Sequence, residues 1–359
     1  MYEFEPLLIS LVSTPTTSFH EHGVMKVIAA ECEKHGLTLK SDVFGNQLLH
    51  YRKGQPKSSF AFVSHMDHPG LEIESPMDSS AGLYKALLLG GLPMPKPWFS
   101  GEIPVVIHGA GKPLKATVTS YASEADGIKL TVRSESSLNK GMFGVLDLPD
   151  YERSGDNAVT RAADDLAGCA TILYAFEQVS KLNLEADIYC LFTRAEEVGL
   201  VGATLAAQHK LLPEQTIVVS VETSRSLPGA TIGDGPAIRV GDRRSTFTNS
   251  AERYLRDARD RMLNKNPSIK IQRQLMSGGT CEAAAFQAFG YQTTGLAIPL
   301  GNYHNVSPEN TPAPEYVSLS DVQTCIEMII ETVSNSSEPD MLKDRLTESA
   351  KKVQGRLIS

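Results

Sequence analysis

The sequence has the length, composition and charge of an ordinary globular protein. Its 359 residues carry a formal charge of −8, and 41% of them are apolar. Such a chain is long enough for two domains, or for one large domain with an insertion. The acidic balance excludes a dedicated nucleic-acid binder, which normally shows a basic patch. No apolar run reaches the roughly 18 residues that span a bilayer, so composition excludes several classes and identifies no function.

The cysteines and the N-terminal residues predict a location in the cytoplasm. The five cysteines are scattered and form no C-x-x-C pair. This pattern favours free thiols in a reducing compartment over a disulfide framework. Residues 1–18 lack a basic region and do not resemble a signal peptide. We therefore expect a cytoplasmic protein with neither a membrane nor a nucleic-acid partner.

The first half of the chain predicts an α/β domain that is interrupted by a β insert. Helical composition over 18–36 is followed by alternating residues over 37–51 and by a short apolar run at 59–64. Long helical periodicity is absent from about 71 to 156, and Gly and Pro cluster over 90–114. The β-prone pieces of this stretch are 105–108, 114–120 and 127–132. We predict a compact β insert here, a small barrel or sandwich.

The α/β pattern returns after residue 162 and continues to the end of the chain. Short apolar runs that predict strands alternate with amphipathic stretches that predict helices. The predicted strands are 186–193, 217–221 and 293–299, and the predicted helices are 164–182, 249–264, 282–289 and 315–333. Apolar residues also recur at helical spacing in the C-terminal tail.

Potential metal ligands directly follow four of the predicted strands. They are His65 with Asp67, Glu196 with Glu197, Glu222, and His304. Because the carboxyl ends of strands in an open α/β sheet meet at one edge, we expect these side chains to converge. Asp164 and Asp165, where the insert ends, would add a carboxylate. Histidines and carboxylates together supply the mixed nitrogen and oxygen ligation that suits zinc, cobalt or manganese.

Each of these residues also has an ordinary structural interpretation. A pair such as Glu196–Glu197 suits a solvated helix start, where negative charge is favourable. Asp164 and Asp165 suit an N-cap with a neighbouring acid, and Glu222 suits one partner of a buried ion pair. The joint pattern, rather than any single residue, points to a metal site.

Five runs of the sequence follow one another in a specific order. They are HMDHPG (65–70), AADDLAG (162–168), TRAEEVGLVGA (193–203), GDGPAIRVGD (233–242) and GGTCEAAAFQAFGYQTTGLAIPLGNYH (278–304). Their order and spacing, over about 6–335, resemble the TET-type glutamyl or deblocking aminopeptidases, which are dinuclear-zinc peptidases. The resemblance implies an α/β fold with a central mixed sheet flanked by helices. It also implies a discontinuous catalytic domain, 1–69 and 158–359, and an inserted β-barrel-like dimerisation domain, 70–157.

The resemblance further implies two divalent metal ions. Zinc is the expected metal, and cobalt and manganese are the alternatives. The implied metal ligands are His65, Asp164, Glu197, Glu222 and His304, with Asp164 bridging both ions. Asp67 would orient His65, and Glu196 would act as the general base. The implied activity is removal of N-terminal residues from peptides by a homo-oligomer, either a dimer or a larger assembly. Substrate-binding residues stay unassigned.

Several positions depart from the family pattern. They are His68 in place of an acid, Leu166 in place of an arginine, Cys281 in place of an aspartate, Leu300–Tyr303 in place of an Arg-Tyr pair, and Glu222 in place of an aspartate. In the wider clan, glutamate at the last position is associated with carboxypeptidases and deacylases. A metal-dependent carboxypeptidase or N-acyl-amino-acid deacylase is therefore the alternative function. A catalytically silent, metal-stabilised assembly protein is a more remote alternative.

Overall fold

A computed structural model of the chain describes residues 2–78, 80–91, 102–109, 111–335 and 341–358. Much of the Gly/Pro-rich stretch, residues 92–101, therefore lies outside the described residues. Within the described ranges the chain forms one large mixed sheet, one closed barrel and a set of helices.

The large sheet is built from strands on both sides of the barrel in the sequence. Its strands are β1 (Lys40–Ser41), β2 (Gln47–Lys53), β3 (Phe60–His65), β10 (Glu152–Ser154), β11 (Asn157–Thr160), β12 (Ala186–Thr193), β13 (Ile217–Arg225), β14 (Ala237–Arg239), β15 (Gln272–Gln274), β16 (Thr293–Gly301) and β17 (Glu315–Ser318). Their order is β1-β2-β12-β3-β13-β16-β17-β11-β10, with β14 paired to β16 and β15. The four strands β12, β3, β13 and β16 are parallel neighbours, so their carboxyl ends meet at one edge.

Helices cover both faces of the large sheet. The helices of the described chain are α1 (Glu5–Val12), α2 (His22–Lys34), α3 (Leu166–Lys181), α4 (Val201–Gln208), α5 (Asn249–Lys265), α6 (Glu282–Ala288), α7 (Leu319–Ser334) and α8 (Met341–Val353), and α8 is exposed to solvent rather than packed on the sheet. Successive side chains of a strand point to opposite faces. Phe60 and Phe62 of β3 accordingly pack with α3 and α7, whereas Ala61 and Val63 pack with α4 and α6. This arrangement confirms the predicted fold class.

The chain between β3 and β10 forms a closed antiparallel barrel. Its strands are β4 (Gly70–Asp78), β5 (Leu83–Leu89), β6 (Ile103–His108), β7 (Leu114–Glu124), β8 (Gly127–Arg133) and β9 (Phe143–Leu146), and they close in the order β4-β5-β8-β7-β6-β9. A separate apolar cluster that includes Ile73, Val105 and Val132 fills it. The chain rejoins the large sheet through β10 and β11. The division of the chain into domains at 70–157 stays a prediction.

One predicted helix begins later than the sequence pattern indicates. The periodicity predicts a helix over 315–333, but Glu315–Ser318 forms β17, which pairs with β11 and β16. The helix α7 begins at Leu319, and the Ser318 side chain accepts a hydrogen bond from the backbone N–H of Asp321 at 3.3 Å. A serine in this position is a favourable N-cap, and this cap separates the strand from the helix.

Two further expectations concern the cysteines and the membrane. All five cysteines are free and buried. In the described part of the chain, no helix is both long and apolar enough to cross a membrane.

Candidate metal centre

β3 ends at His65, whose imidazole faces a group of carboxylates. Its Nδ1 lies 3.0 Å from the backbone carbonyl of Asp67 and 3.6 Å from the Asp67 carboxylate. Both neighbours are acceptors, so the proton belongs on Nδ1 and Nε2 is left as the ligand atom. Nε2 lies 3.4 Å from Asp164 Oδ1 and 4.0 Å from Glu196 Oε2. The backbone of Asp67 therefore shares the orienting role that the resemblance implies for its side chain.

The Asp67 carboxylate also fixes the turn that follows β12. It accepts the backbone N–H of Glu196 at 2.9 Å and that of Glu197 at 3.1 Å. The hydroxyl of Ser18, just before α2, donates to the same carboxylate at 2.6 Å. Ala195, which precedes the two glutamates, has a φ of 52°. This left-handed backbone is uncommon for alanine and is held in place by these surrounding bonds.

Asp164 lies between the two histidines of the centre. Its Oδ1 is 3.4 Å from His65 Nε2, and its Oδ2 is 3.6 Å from His304 Nε2. The hydroxyl of Thr223 on β13 donates to Asp164 Oδ1 at 3.1 Å, and the backbone N–H of Thr223 donates to Asp165 at 2.9 Å. These bonds tie the segment before α3 to β13. A carboxylate whose two oxygens face different histidines has the orientation that bridging two cations requires.

Glu222 on β13 pairs with a buried arginine. Arg239 Nη1 lies 2.8 Å from Glu222 Oε2 and 3.2 Å from Ser224 Oγ. The side chain of Arg239 is only 2% exposed. The buried ion pair that the sequence suggests as a structural role for Glu222 is therefore present. It is compatible with a ligand role, because a ligand atom of Glu222 lies within 4.8 Å of those of His65 and Asp164.

His304, after β16, is held through its ring and its backbone. Its Nδ1 donates to the carbonyl of Gly91, in the segment that follows barrel strand β5, at 2.6 Å. Its Nε2 therefore faces Glu197 Oε1, which lies 3.4 Å away. His304 has a φ of 54°, and its backbone N–H donates to Glu315 Oε1 at 2.9 Å. The barrel segment thus helps to orient one side of the centre.

Glu315 joins the two halves of the centre, and the sequence patterns do not single it out. While Oε1 accepts from His304, Oε2 accepts the backbone N–H groups of Ala163 at 2.9 Å and Asp164 at 3.0 Å. The side chain is fully buried. The only signal in the sequence is a carboxylate eleven positions after His304, and the helical periodicity over 315–333 obscures it.

The donor set fits two divalent cations. Two groups of potential ligands share Asp164, and within each group one ligand atom of every residue lies within 4.8 Å of the others. The groups are His65, Asp164 and Glu222, and Asp164, Glu197 and His304. Glu197 Oε1 is buried and has no hydrogen-bond partner in the described part of the chain. A buried carboxylate atom without a partner is costly unless a cation faces it.

The charges of the centre also favour a cation. Burial raises the pKa of Glu196 and of Glu197 well above its usual value, and neighbouring carboxylates add to this effect. Burial raises the pKa of Glu222 to about 7, although Arg239 opposes the shift. Burial lowers the pKa of His304 to about 4 and keeps the ring neutral. A divalent cation would favour the charged form of every carboxylate here.

Three of the departures from the family pattern, at His68, Leu166 and Cys281, are buried side chains. His68 bridges the Asp164 carbonyl, 2.5 Å from Nδ1, and the Asn305 side-chain oxygen, 2.9 Å from Nε2. Leu166 and Cys281 are fully buried. A narrow cleft beside Glu222 has a mixed lining that includes Arg225, Leu227, Met276 and Tyr303.

The large mixed sheet gathers histidines and carboxylates at the ends of its parallel strands, and the barrel is inserted after β3, the first of these strands. This combination of fold and site is that of a class of metal-dependent peptidases. Within that class the chain belongs to the M42 glutamyl aminopeptidase family, whose family model matches residues 130–328, more than half of the chain.

Comparisons with individual proteins are consistent with membership of this family. A curated protein of Acetivibrio thermocellus named "Putative aminopeptidase" is 28% identical over 191 residues, which cover 51% of this chain and 53% of that protein. The match thus spans about half the length of that relative. The TET1 peptidase of Pyrococcus horikoshii, which can assemble into a tetrahedron or a large octahedral shell, is 20% identical with a TM-score of 0.76, over 92% of this chain and 99% of that chain. A TET aminopeptidase from a marine sediment thaumarchaeote is 20% identical with a TM-score of 0.77, over 93% and 97% of the two chains. The two structures share the fold of this chain.

Proposed function

We propose that this chain is a dinuclear-metal-dependent aminopeptidase that hydrolyses N-terminal residues from peptides. The observation that carries the proposal is the position of Asp164, each of whose oxygens faces the Nε2 atom of a different histidine, at 3.4 and 3.6 Å. The unpartnered, buried oxygen of Glu197 supports it further. Family membership favours the aminopeptidase over the carboxypeptidase and deacylase alternatives.

We assign the metal ligands as His65 and Glu222 on one side and Glu197 and His304 on the other, with Asp164 shared. Divalent ions bound there would act as Lewis acids that polarise the scissile carbonyl and stabilise negative charge in the transition state. Zinc is the proposed metal, and cobalt or manganese suits the same donors. The proposed assembly is a homo-oligomer in the cytoplasm, with the barrel at 70–157 as the dimerisation domain.

Glu196 is the proposed general base. Its Oε2 lies 4.0 Å from His65 Nε2. Glu196 forms a ligand group with His65 and Glu197, but it belongs to neither of the two groups that share Asp164. From this position it can take a proton from the attacking water and deliver it to the leaving amine. Asp67 acts as a positioning residue, because it holds the backbone of both Glu196 and Glu197.

A panel of matched peptides tests the activity. The zinc-loaded protein should release the first residue of peptides with a free amine and should not release it when the amine is acetylated. Release of the last residue from acetylated peptides would instead indicate a carboxypeptidase, and release of acyl groups from N-acyl amino acids a deacylase. Zinc binding without any product in the panel would overturn the proposal in favour of a metal-stabilised assembly protein.

A further inference from the structure

A second group of potential metal ligands lies outside the candidate centre, where the C-terminal end of α2 meets α3. Glu31 and His35 are separated by four positions, so they lie on one face of the helix end. His35 Nε2 is 3.0 Å from Glu31 Oε1 and 3.4 Å from Glu177 Oε2 on α3. One ligand atom of each residue lies within 4.8 Å of the others. A single imidazole nitrogen thus faces carboxylates from two different helices.

Glu177 supplies an independent indication that a cation belongs at this group. Its side chain is only 2% exposed, and its Oε1 is buried without a hydrogen-bond partner in the described ranges. Burial raises the pKa of this carboxyl, as expected for a charge that is incompletely compensated. A cleft of about 460 Å³ between α1, α2 and α3 is lined by all three residues. An ion and its water ligands could enter through this cleft.

The present counter-charges of the group are two lysines. Lys34 Nζ lies 3.0 Å from Glu31 Oε1, and Lys181 Nζ lies 3.4 Å from Glu177 Oε2. Their side chains are 65% and 46% exposed, and ion pairs of such exposed lysines are weak. A divalent cation that coordinates the carboxylates directly can therefore displace both ammonium groups into solvent.

We propose that Glu31, His35 and Glu177 form a third metal site, which takes a divalent transition ion such as zinc. One imidazole and two carboxylates are donors that zinc accepts, with water completing the coordination. The site is separate from the peptidase centre. Glu177 lies eleven positions after Leu166, the first residue of α3, which corresponds to about 17 Å along the helix axis. A metal here would cross-link α2 to α3 and stabilise the fold rather than take part in the reaction.

The test counts zinc ions in the full-length protein. Metal-free wild type, His35→Gln and Glu31→Gln are equilibrated with zinc chloride at one free concentration, and bound zinc per chain is measured by mass spectrometry. Wild type should hold one zinc more than either variant, and peptidase activity should be equal in all three. His50→Gln is the matched control, because His50 also pairs with a carboxylate, Asp187 at 2.9 Å, but belongs to no three-residue ligand group in the described ranges.

Removing the competing ammonium provides a second readout. Lys34→Ala should lower the dissociation constant of this zinc several-fold, because Glu31 no longer has to exchange a lysine for the ion. Equal zinc content in wild type, His35→Gln and Glu31→Gln would overturn the site. The comparison uses the difference between variants, so it holds whether or not the proposed peptidase centre is correct.

Discussion

Replacing Glu315 by glutamine tests whether this buried carboxylate aligns the two halves of the centre. Glutamine has the same shape, but one of its two terminal acceptors becomes an NH₂ donor. If the amide oxygen keeps the bonds to Ala163 and Asp164, the NH₂ group faces the backbone N–H of His304. In the wild type this N–H donates to Glu315 at 2.9 Å. Two donors then oppose each other in a fully buried position.

The expected cost follows from the lost bond and the unsatisfied donor. Leaving one buried backbone N–H unpaired costs about 1–3 kcal/mol. Burial and the Asp164 carboxylate raise the pKa of Glu315, so removing its charge offsets part of this cost. We expect Glu315→Gln to lower the free energy of unfolding by about 1 kcal/mol. Its larger effect should be a zinc affinity about ten- to a hundredfold lower, as is typical when a group that orients a metal ligand is changed.

Urea denaturation of the metal-free protein gives the first quantity, and zinc competition with a chelating dye gives the second. Glu309→Gln is the matched control, since Glu309 is an exposed glutamate in the segment between His304 and Glu315. It should change neither measurement. A Glu315→Gln variant with wild-type zinc affinity would refute the reasoning, because it would show that the three backbone bonds do not position the ligands.

Three further predictions use the same protein. Glu196→Gln should keep the zinc content and lose at least about a hundredfold in kcat, as expected for a general base; loss of zinc instead would make Glu196 a ligand. Arg239→Met leaves Glu222 buried and unpaired, so the metal-free protein should lose about 3 kcal/mol of stability and the zinc-loaded protein clearly less; equal losses would mean that zinc does not contact Glu222. Because burial raises the pKa of Glu222 to about 7, its contribution to stability is complete below about pH 4.5 and is lost as pH rises through 7. The free energy of unfolding of the metal-free protein, measured by thermal unfolding, should therefore fall between about pH 4.5 and 7, and Glu222→Gln should reduce this fall by about 3 kcal/mol. A variant with the same pH profile as the wild type would contradict this.

Much of the fold could be predicted because strand and helix periods are local properties of the sequence. The buried parallel strands read as continuous apolar runs, as Phe60–His65 does, and such runs are typical of strands covered on both faces. The predicted helix over 315–333 was wrong at its start, because pairing of Glu315–Ser318 with two distant strands overrides local periodicity.

The residues that bind a metal in our proposal were accessible from the sequence, and so was Asp67, which orients His65. Two other orienting residues, Ser18 and Glu315, were not. His65, Asp164 and His304 follow strands or begin a helix, so topology alone brings them to one edge. Ser18 and Glu315 act through hydrogen bonds to a side chain or backbone far away in the sequence. Such contacts depend on the final packing and leave no periodic pattern. Gly91 illustrates this most clearly, since only its carbonyl takes part.

The central claim, a pair of metal ions bridged by Asp164, is tested most directly by anomalous diffraction at the zinc edge from crystals grown with zinc. The account predicts two peaks about 3.5–4 Å apart, one beside His65 and Glu222, the other beside Glu197 and His304, with one Asp164 oxygen on each. A single peak, or two peaks that Asp164 does not connect, would contradict it.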